Sequence, residues 1–574
     1  MEFITMSNFK SRRALHVVAA FTLAAFASGC SAGGELANVE EGTLLYGRIT
    51  SEDGSAIVGV PVRAREQGKN FSVVVYSDSN GNYSFPAWSD LTAGMHSVSI
   101  ELPDFEHTSR DLVALSESTS AQADFALVSR EPSVEDATAS EILAGLPGTD
   151  HQKMLFAQCS NCHTLQRALR FEYDQDGWEQ IIHLMASTRR TSVDYPDSYT
   201  YGQKRFVEPL AEYLASIRGP GSSEEIPFEL RTRPTSEEAT SLVMTEYDLP
   251  RGGEFELYMV RGDARHVWPH DVIVDDQYAY YTDHFSNALG RVDKNTGEAI
   301  EMAYPIPPGG GRETTMGPGE VRAGNPGGGS HDIAFDSQGN VMIGMRGATV
   351  RYNPNTEQFD NLISGSSMFG IDPNDHLWHP GDDGLLVEID TKTGERTEHT
   401  ITVDNSDYGV DTDSQSRTFL NLWRSNVIEV YDPKTAEYTI HEVPSPSSGP
   451  RRGEIDDEDN FWTALYYAGR VLRLDPDSGE TKEYPLIPGT EPFDAPYAAP
   501  YSLSVDEENG WVWTNDFNAD RLHRIDIETA EATEFMMPGR YQIRDVTVEE
   551  GTERPTVWLP SYRPPSQIVK VQVR

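Results

Sequence analysis

Arg291-Val292-Asp293-Lys294-Asn295-Thr296-Gly297-Glu298-Ala299-Ile300-Glu301-Met302 and Arg473-Leu474-Asp475-Pro476-Asp477-Ser478-Gly479-Glu480-Thr481-Lys482-Glu483-Tyr484 are one pattern written twice. In each, a polar turn of Asp, Thr or Ser, Gly and Glu separates two alternating runs, the signature of a hairpin between half-buried strands. The same turn begins again at Asn353, Asp390, Asp432 and Asp526, giving six copies 37 to 60 residues apart. A second, more acidic turn begins at Asp275, Asp336, Asp372, Asp411, Asp456, Asp506 and Glu549. Short apolar runs such as Val272-Ile273-Val274 and Tyr278-Ala279-Tyr280-Tyr281 lie between the turns.

Two hairpin turns per repeat of about 40 residues predict a four-stranded unit. Seven turns of one kind and six of the other predict a seven-bladed β-propeller over residues 243–574. The last unit ends on Ile568-Val569-Lys570-Val571 with no strand after it, and Val243 to Asp248 reads as its missing outer strand. Such closure removes a free edge. The Asp-rich turns need no calcium, because Asp and Asn suit tight turns by themselves. The repeat wording resembles the streptogramin (virginiamycin B) lyase family of seven-bladed propellers.

Counting back five residues from each acidic turn gives one equivalent position per blade: His270, His331, Ser367, Ser406, Arg451, Tyr501 and Arg544. All are polar, so they are expected to ring the channel mouth, where propellers bind ligands. Asp283, His284, Arg346, Tyr466 and Asp516 stand just beyond the second strands. The lyase resemblance implies two inner-strand histidines and a glutamate serving a magnesium-assisted elimination. His270 and His331 match that pair. No glutamate follows the second strand of blade two, where Met345-Arg346-Gly347 stands, and Asp283 lies in blade one. An insertion, Pro305 to Gly329, carries Arg312, Glu313, Met316 and Arg322 and is long enough to lid the channel or meet a neighbouring domain.

Upstream, Cys159-Ser160-Asn161-Cys162-His163 is C-x-x-C-H, the pattern that attaches haem c. Two thiols one helical turn apart can each bond a haem vinyl group, and the next histidine lies beneath the iron. A zinc site would need more ligands, and Cys30 is the only other cysteine. Helical patterns, not a βαβ unit, flank the motif, which argues against a thioredoxin-like pair. Residues 138–220 resemble a small class I cytochrome c, an all-α domain with one covalent haem. Cys159 and Cys162 are the expected thioether donors and His163 the proximal iron ligand. Either Met185 or His183 can serve as the sixth ligand; the resemblance favours Met185. Residues 221–242 read as a linker rich in Gly, Pro, Ser and Glu.

Residues 41–128 alternate apolar and polar around the turns Asp53-Gly54 and Asn80-Gly81-Asn82. Gly59-Val60-Pro61-Val62 and Asp78-Ser79-Asn80-Gly81-Asn82-Tyr83-Ser84-Phe85 resemble the carboxypeptidase regulatory-like β-sandwich, usually a non-catalytic spacer. At the N-terminus, Lys10, Arg12 and Arg13 precede an apolar run from Ala14 to Ala27, too short to span a bilayer. Ala27-Ser28-Gly29-Cys30 resembles a bacterial lipoprotein signal, which implies residues 1–29 as the signal, acylation of Cys30 and a tether over 30–40. Ser31 favours the outer membrane by the same resemblance. The periplasm or cell surface is the expected location.

With 46 basic and 91 acidic residues among 574, the formal charge is −45, which repels nucleic acids and anionic lipid surfaces. The fold class expected is multidomain and mainly β: a small β-sandwich, an all-α cytochrome domain and a propeller closed by its own first strand. The function expected is haem-mediated electron transfer coupled to binding or oxidation of a small substrate at the channel, with a redox protein or soluble cytochrome as partner. A metal-assisted C–O lyase holding magnesium, and a non-catalytic scaffold, are the alternatives.

Overall fold

The computed structural model describes residues 41–187, 203–259, 262, 265–305, 329–345, 348–363, 365–381, 384–401, 407–494 and 496–574. Cys30 and the segment expected as a signal, Arg346, Ser406 and most of the Pro305–Gly329 insertion lie outside them.

Seven four-stranded antiparallel sets follow one another from residue 269 to the C-terminus, a propeller-like array. The first six sets are consecutive in sequence, from Pro269–Val274 to Ala532–Met536. The seventh takes its outer strand, Leu242–Asp248, from in front of the array; it pairs antiparallel with Gln567–Val573. The expected closure is therefore present. Its new edge is not left bare. Leu242–Asp248 also pairs with Phe71–Tyr76 of the N-terminal sandwich, so that the seventh set runs into a sheet of eight strands. Phe71–Tyr76 is buried along its whole length for that reason. Across the junction Arg63 grips Glu246 with two hydrogen bonds of 2.7 and 2.8 Å, and Ser72 donates to the same carboxylate at 2.9 Å. Leu45, Val62, Val73 and Phe125 of the sandwich share one apolar core with Tyr247, Val272 and Trp558.

The acidic turns are closed by their own carboxylates. Asp336 Oδ1 accepts the backbone N–H of Gln338 and Asn340; Asp456 Oδ1 accepts those of Glu458 and Asn460. The other carboxylate oxygen takes an indole N–H from the following strand: Trp462 onto Asp456 at 2.8 Å and Trp558 onto Glu549 at 2.7 Å. One acidic residue thus closes the turn and anchors the blade's largest core side chain.

Between sandwich and array lies a helical segment: α1 (Ala139–Gly145), α2 (Asp150–Ala157), α3 (Leu165–Leu169), α4 (Gln175–Ser187) and α5 (Gln203–Arg218). Thr138 with Glu141, and Thr149 with Gln152, form reciprocal capping boxes on α1 and α2. Phe156 of α2 meets Tyr213 of α5 edge to face at 6.5 Å. The segment after α5, expected as a linker, is an ordered strap. Ile226 and Phe228 pack on the helical core, Arg231 pairs with Asp516 at 3.1 Å, and Arg233 with Asp104 at 2.7 Å. Its polar composition misled because its arginines find carboxylates instead of water.

Candidate functional site at the channel mouth

The innermost strands carry a recurrent irregularity. Pairing slips between Pro269 and Val272, Ser330 and Ile333, and Pro450 and Gly453, so two residues oppose one in each. Such bulges re-aim side chains. They present His270 with Asp271, His331 with Asp332, and Arg451 with Arg452 as consecutive pairs. The sequence reading found the first of each pair and missed the second, because a regular strand would turn it away.

It also mis-set one register. In the fourth set the turn is closed by Asp413, whose Oδ1 accepts Gln415 and Arg417 N–H, not by Asp411. Asp411 instead binds the N–H of Thr412 and of Ile455. Five residues before Asp413 stands Tyr408, which replaces Ser406 as the equivalent position. The donors are backbone N–H groups, which any residue offers, so the sequence alone does not distinguish Asp413 from Asp411 as the turn residue.

With Tyr408 in place, the ring closes as a hydrogen-bonded cluster. Tyr501 Oη lies 3.2 Å from His270 Nε2 and bonds the Tyr408 hydroxyl closely. Tyr408 Oη is 3.5 Å from His331 Nε2. The His270 and His331 rings are 3.8 Å apart between centroids, with His284 edge-on to both. His270 Nδ1 bonds Asp271 closely. Arg451 lies over the Tyr501 ring at 3.9 Å and the Tyr408 ring at 4.0 Å, with Trp423 and Tyr466 at 4.7 Å. Arg544 donates to Tyr501 Oη at 3.4 Å and stacks on Tyr562 at 3.8 Å.

Arg452 is the axial cation. It donates to Asp271 Oδ2 at 2.8 Å, to His331 Nδ1 at 3.0 Å and to Asp332, and stands 3.7 Å from Asp545. Burial lowers the His270 pKa, helped by the positive neighbours, and lowers that of His331 to about 4. Both imidazoles are neutral at pH 7. Burial raises Asp271 against the pull of Arg452, whereas at Asp332 Arg452 and His331 outweigh burial and lower it. Burial would raise Tyr501, but Arg451, Arg544 and Arg452 outweigh it and lower its pKa.

Asp283 stands apart from this cluster. Its carboxylate accepts the N–H of Trp268 and Phe285, bonds Ser286, and pairs with Arg251 at 2.6 Å. Asp516 holds Ala499 and Asn518 in the same way in the sixth set. Both carboxylates clamp the loops beside their strands, and Asp283, expected near the channel with the histidine pair, is engaged by Arg251 and Ser286. Ser367 contributes its backbone carbonyl, to Asp332 N at 3.1 Å.

Asp271, His270 and His331 bring ligand atoms within 4.8 Å of one another. Magnesium prefers oxygen ligands, and here both Asp271 oxygens and His331 Nδ1 are already engaged by His270 and Arg452. The residues do not fit the magnesium of the lyase expectation.

The C-x-x-C-H loop sits directly on the cluster. Asn161 O accepts Arg544 Nη2 at 2.9 Å, while Ser160 O accepts Gln542 at 2.7 Å and Arg563 at 3.1 Å. Tyr467 donates to Gln158 Oε1 at 3.1 Å, and Ser160 to Asn518 at 3.1 Å. Cys159 and Cys162 are free thiols on one 3₁₀ turn. His163 Nδ1 lies 2.9 Å from the Thr164 carbonyl, which fixes the N–H there, and burial lowers its pKa to about 4. Its Nε2 makes no hydrogen bond among the described residues. A neutral imidazole oriented through Nδ1, beside two unpaired thiols, is the donor set of haem c. The residues fit the group. Met185 and Leu184, at the end of α4, are 39% and 54% exposed, and His183 is exposed with them.

Residues 45–128 match the carboxypeptidase regulatory-like domain family. No curated protein matches the chain. Among solved structures, a streptogramin B lyase is similar at 15% identity and a TM-score of 0.46, over 59% of this chain and 100% of that one. A catalytically inactive virginiamycin B lyase from Staphylococcus aureus with quinupristin has 15% identity and a TM-score of 0.46, over 58% and 100%. The RRP9 WD40 repeats have 10% identity and a TM-score of 0.42, over 54% and 95%.

Proposed function

We propose that this chain is a c-type cytochrome fused to a seven-bladed propeller, held on a membrane through an acylated Cys30 in the periplasm or at the cell surface. In this reading it carries electrons from a small molecule at the channel mouth to a redox partner protein. The observation that carries the reading is the clamp of Arg544, Gln542 and Arg563 on the two residues between Cys159 and Cys162. An attachment loop with no business at the channel has no reason to be bonded to its ring.

A haem bound there would supply a one-electron iron couple. The chain's own residues do the rest. His163 presents Nε2, and Met185 is the sixth ligand by resemblance, with His183 as the other donor on α4. Tyr467 and Asn518 hold the loop against the fifth and sixth sets. Tyr501, Arg451 and Arg544 are fully buried beneath it, whereas Tyr408 and His331 keep partial exposure and offer a hydroxyl and an imidazole to a ligand. The lyase alternative has less support, since Arg452 holds the atoms a metal would need and Asp283 is committed to Arg251.

Protein exported to the periplasm of a haem c-maturing host should carry covalent haem, visible as peroxidase stain on denaturing gels and as added mass. Replacing Cys159 and Cys162 with Ser should remove both signals. Unmodified wild-type protein under those conditions would end the reading.

A further inference from the structure

The cluster beneath the loop forms an unbroken chain of hydrogen-bonding groups. It starts at the partly exposed Tyr408 and His331, passes through the Tyr501 hydroxyl to His270 Nε2, and ends from His270 Nδ1 on Asp271. Phenol, imidazole and carboxylate in sequence can each pass or hold a proton. The same Tyr501 oxygen accepts Arg544 Nη1, and the other Arg544 nitrogen holds Asn161 O, between the two thiols. One guanidinium therefore touches both the proton-bearing chain and the haem-attachment loop.

We propose that Tyr408, Tyr501, His270 and Asp271 form a proton relay coupled through Arg544 to the redox state of the haem. This rests on the haem reading above and goes beyond it. The substrate class that follows is a phenolic hydrogen donor, such as a hydroquinone, whose oxidation releases one proton with each electron. The donor would give one electron to a haem held at the loop and become the neutral oxygen radical (a semiquinone from a hydroquinone) as its proton leaves. That proton would enter at Tyr408 or His331 and stay in the chain until the partner protein draws the electron away. The positive charge gained by the cluster would offset the negative charge that reduction adds at the haem, which matters because an uncompensated buried charge meets little screening.

The groups facing Tyr501 come from six sets. Facing it directly or one group removed are His270 and Asp271 from the first, His331 from the second, Tyr408 from the fourth, Arg451, Arg452 and Tyr466 from the fifth, Phe517 from the sixth, and Arg544 with Tyr562 behind it from the seventh. The three arginines favour the phenolate, so the proton it holds is exchangeable and not locked by burial.

The test is the haem midpoint potential of the full haem-loaded chain, measured spectroelectrochemically from pH 5 to 10. Coupling of one proton to one electron gives a slope approaching about 59 mV per pH unit over part of that range. Tyr501→Phe and Arg544→Gln should flatten the slope, and Tyr408→Phe should slow the reduction of the haem by a hydroquinone probe while leaving the folded spectrum intact. A flat wild-type profile, or an unchanged slope in Tyr501→Phe, overturns the relay while leaving the haem in place. Absence of covalent haem overturns the reading beneath it and the relay with it.

Discussion

Arg452 decides the centre of the array. Three carboxylates from the first, second and seventh sets converge on it, and no other cation among the described residues contacts Asp271 or Asp332. Replacing Arg452 with Met would leave those carboxylates buried without compensation, at a cost of about 3–5 kcal/mol. The sign with pH follows. Asp332 is held below its ordinary pKa, so the stability it contributes is present above the unfolded value and is lost as pH falls through the folded one. Without Arg452, Asp332 no longer favours the ionised form. The deficit of the Met variant relative to wild type should therefore be largest near pH 7 and should shrink below about pH 4. Denaturant midpoints at pH 7 and 3.5 check this; an equal deficit at both values would show that lost packing, not charge, is responsible. The residue scale is also where sequence reading reached its limit. His270, His331, Arg451, Tyr501 and Arg544 were legible from turn spacing alone. Asp271, Asp332 and Arg452 were not, since only a bulge brings them to the same side as their neighbours. The C-x-x-C-H loop was legible as chemistry, but its seat on Arg544 depends on contacts some 380 residues apart in sequence.

At the scale of the hairpin, the repeated turn makes a sharper prediction. Asp293, Asp390 and Asp475 are followed four residues later by Gly297, Gly394 and Gly479, at φ of +72°, +75° and +73°. The equivalent residues Ala436 and Ala530 take the same left-handed conformation, at +57° and +61°. An L side chain pays about 1–2 kcal/mol for it, against about 0.5–1 kcal/mol of extra backbone entropy lost by glycine. Ala436→Gly and Ala530→Gly should each stabilise the chain by about 0.5–1 kcal/mol. Gly479→Ala, where a Cβ would meet only His441 at 3.6 Å, should destabilise by a similar amount. Chemical denaturation read by tryptophan fluorescence measures all three. These turns explain why the array was readable from sequence. Their geometry is local, fixed by an Asp oxygen and a left-handed residue, and it recurs with the strands it joins.

The whole molecule depends on an edge that local rules did not disclose. Sequence patterning predicted both the sandwich and the closing strand Leu242–Asp248, yet gave no hint that they pair, because strand register between distant segments is set by which edges remain free. Here the pairing of Phe71 with Tyr247 and of Val75 with Val243 makes one sheet of what length alone suggests are separate domains. Glu246 lies wholly buried at this seam, and Arg63 compensates it. A chain lacking residues 41–128 would keep its seven sets but lose both the partner strand and that cation. It would expose the backbone donors and acceptors of Leu242–Asp248 together with Val243 and Tyr247, and leave a buried carboxylate unpaired. Exposed, long and apolar edge strands associate with one another. The truncated protein should therefore form dimers or larger species at concentrations where the full chain is monodisperse, and Glu246→Gln should rescue its stability in part by removing the orphaned charge. Light scattering coupled to size exclusion separates the outcomes. A truncated chain that stayed in the same oligomeric state as the full chain, and unfolded at the same temperature, would mean that the sandwich is an appendage and that the eight-stranded sheet contributes nothing to holding the array closed.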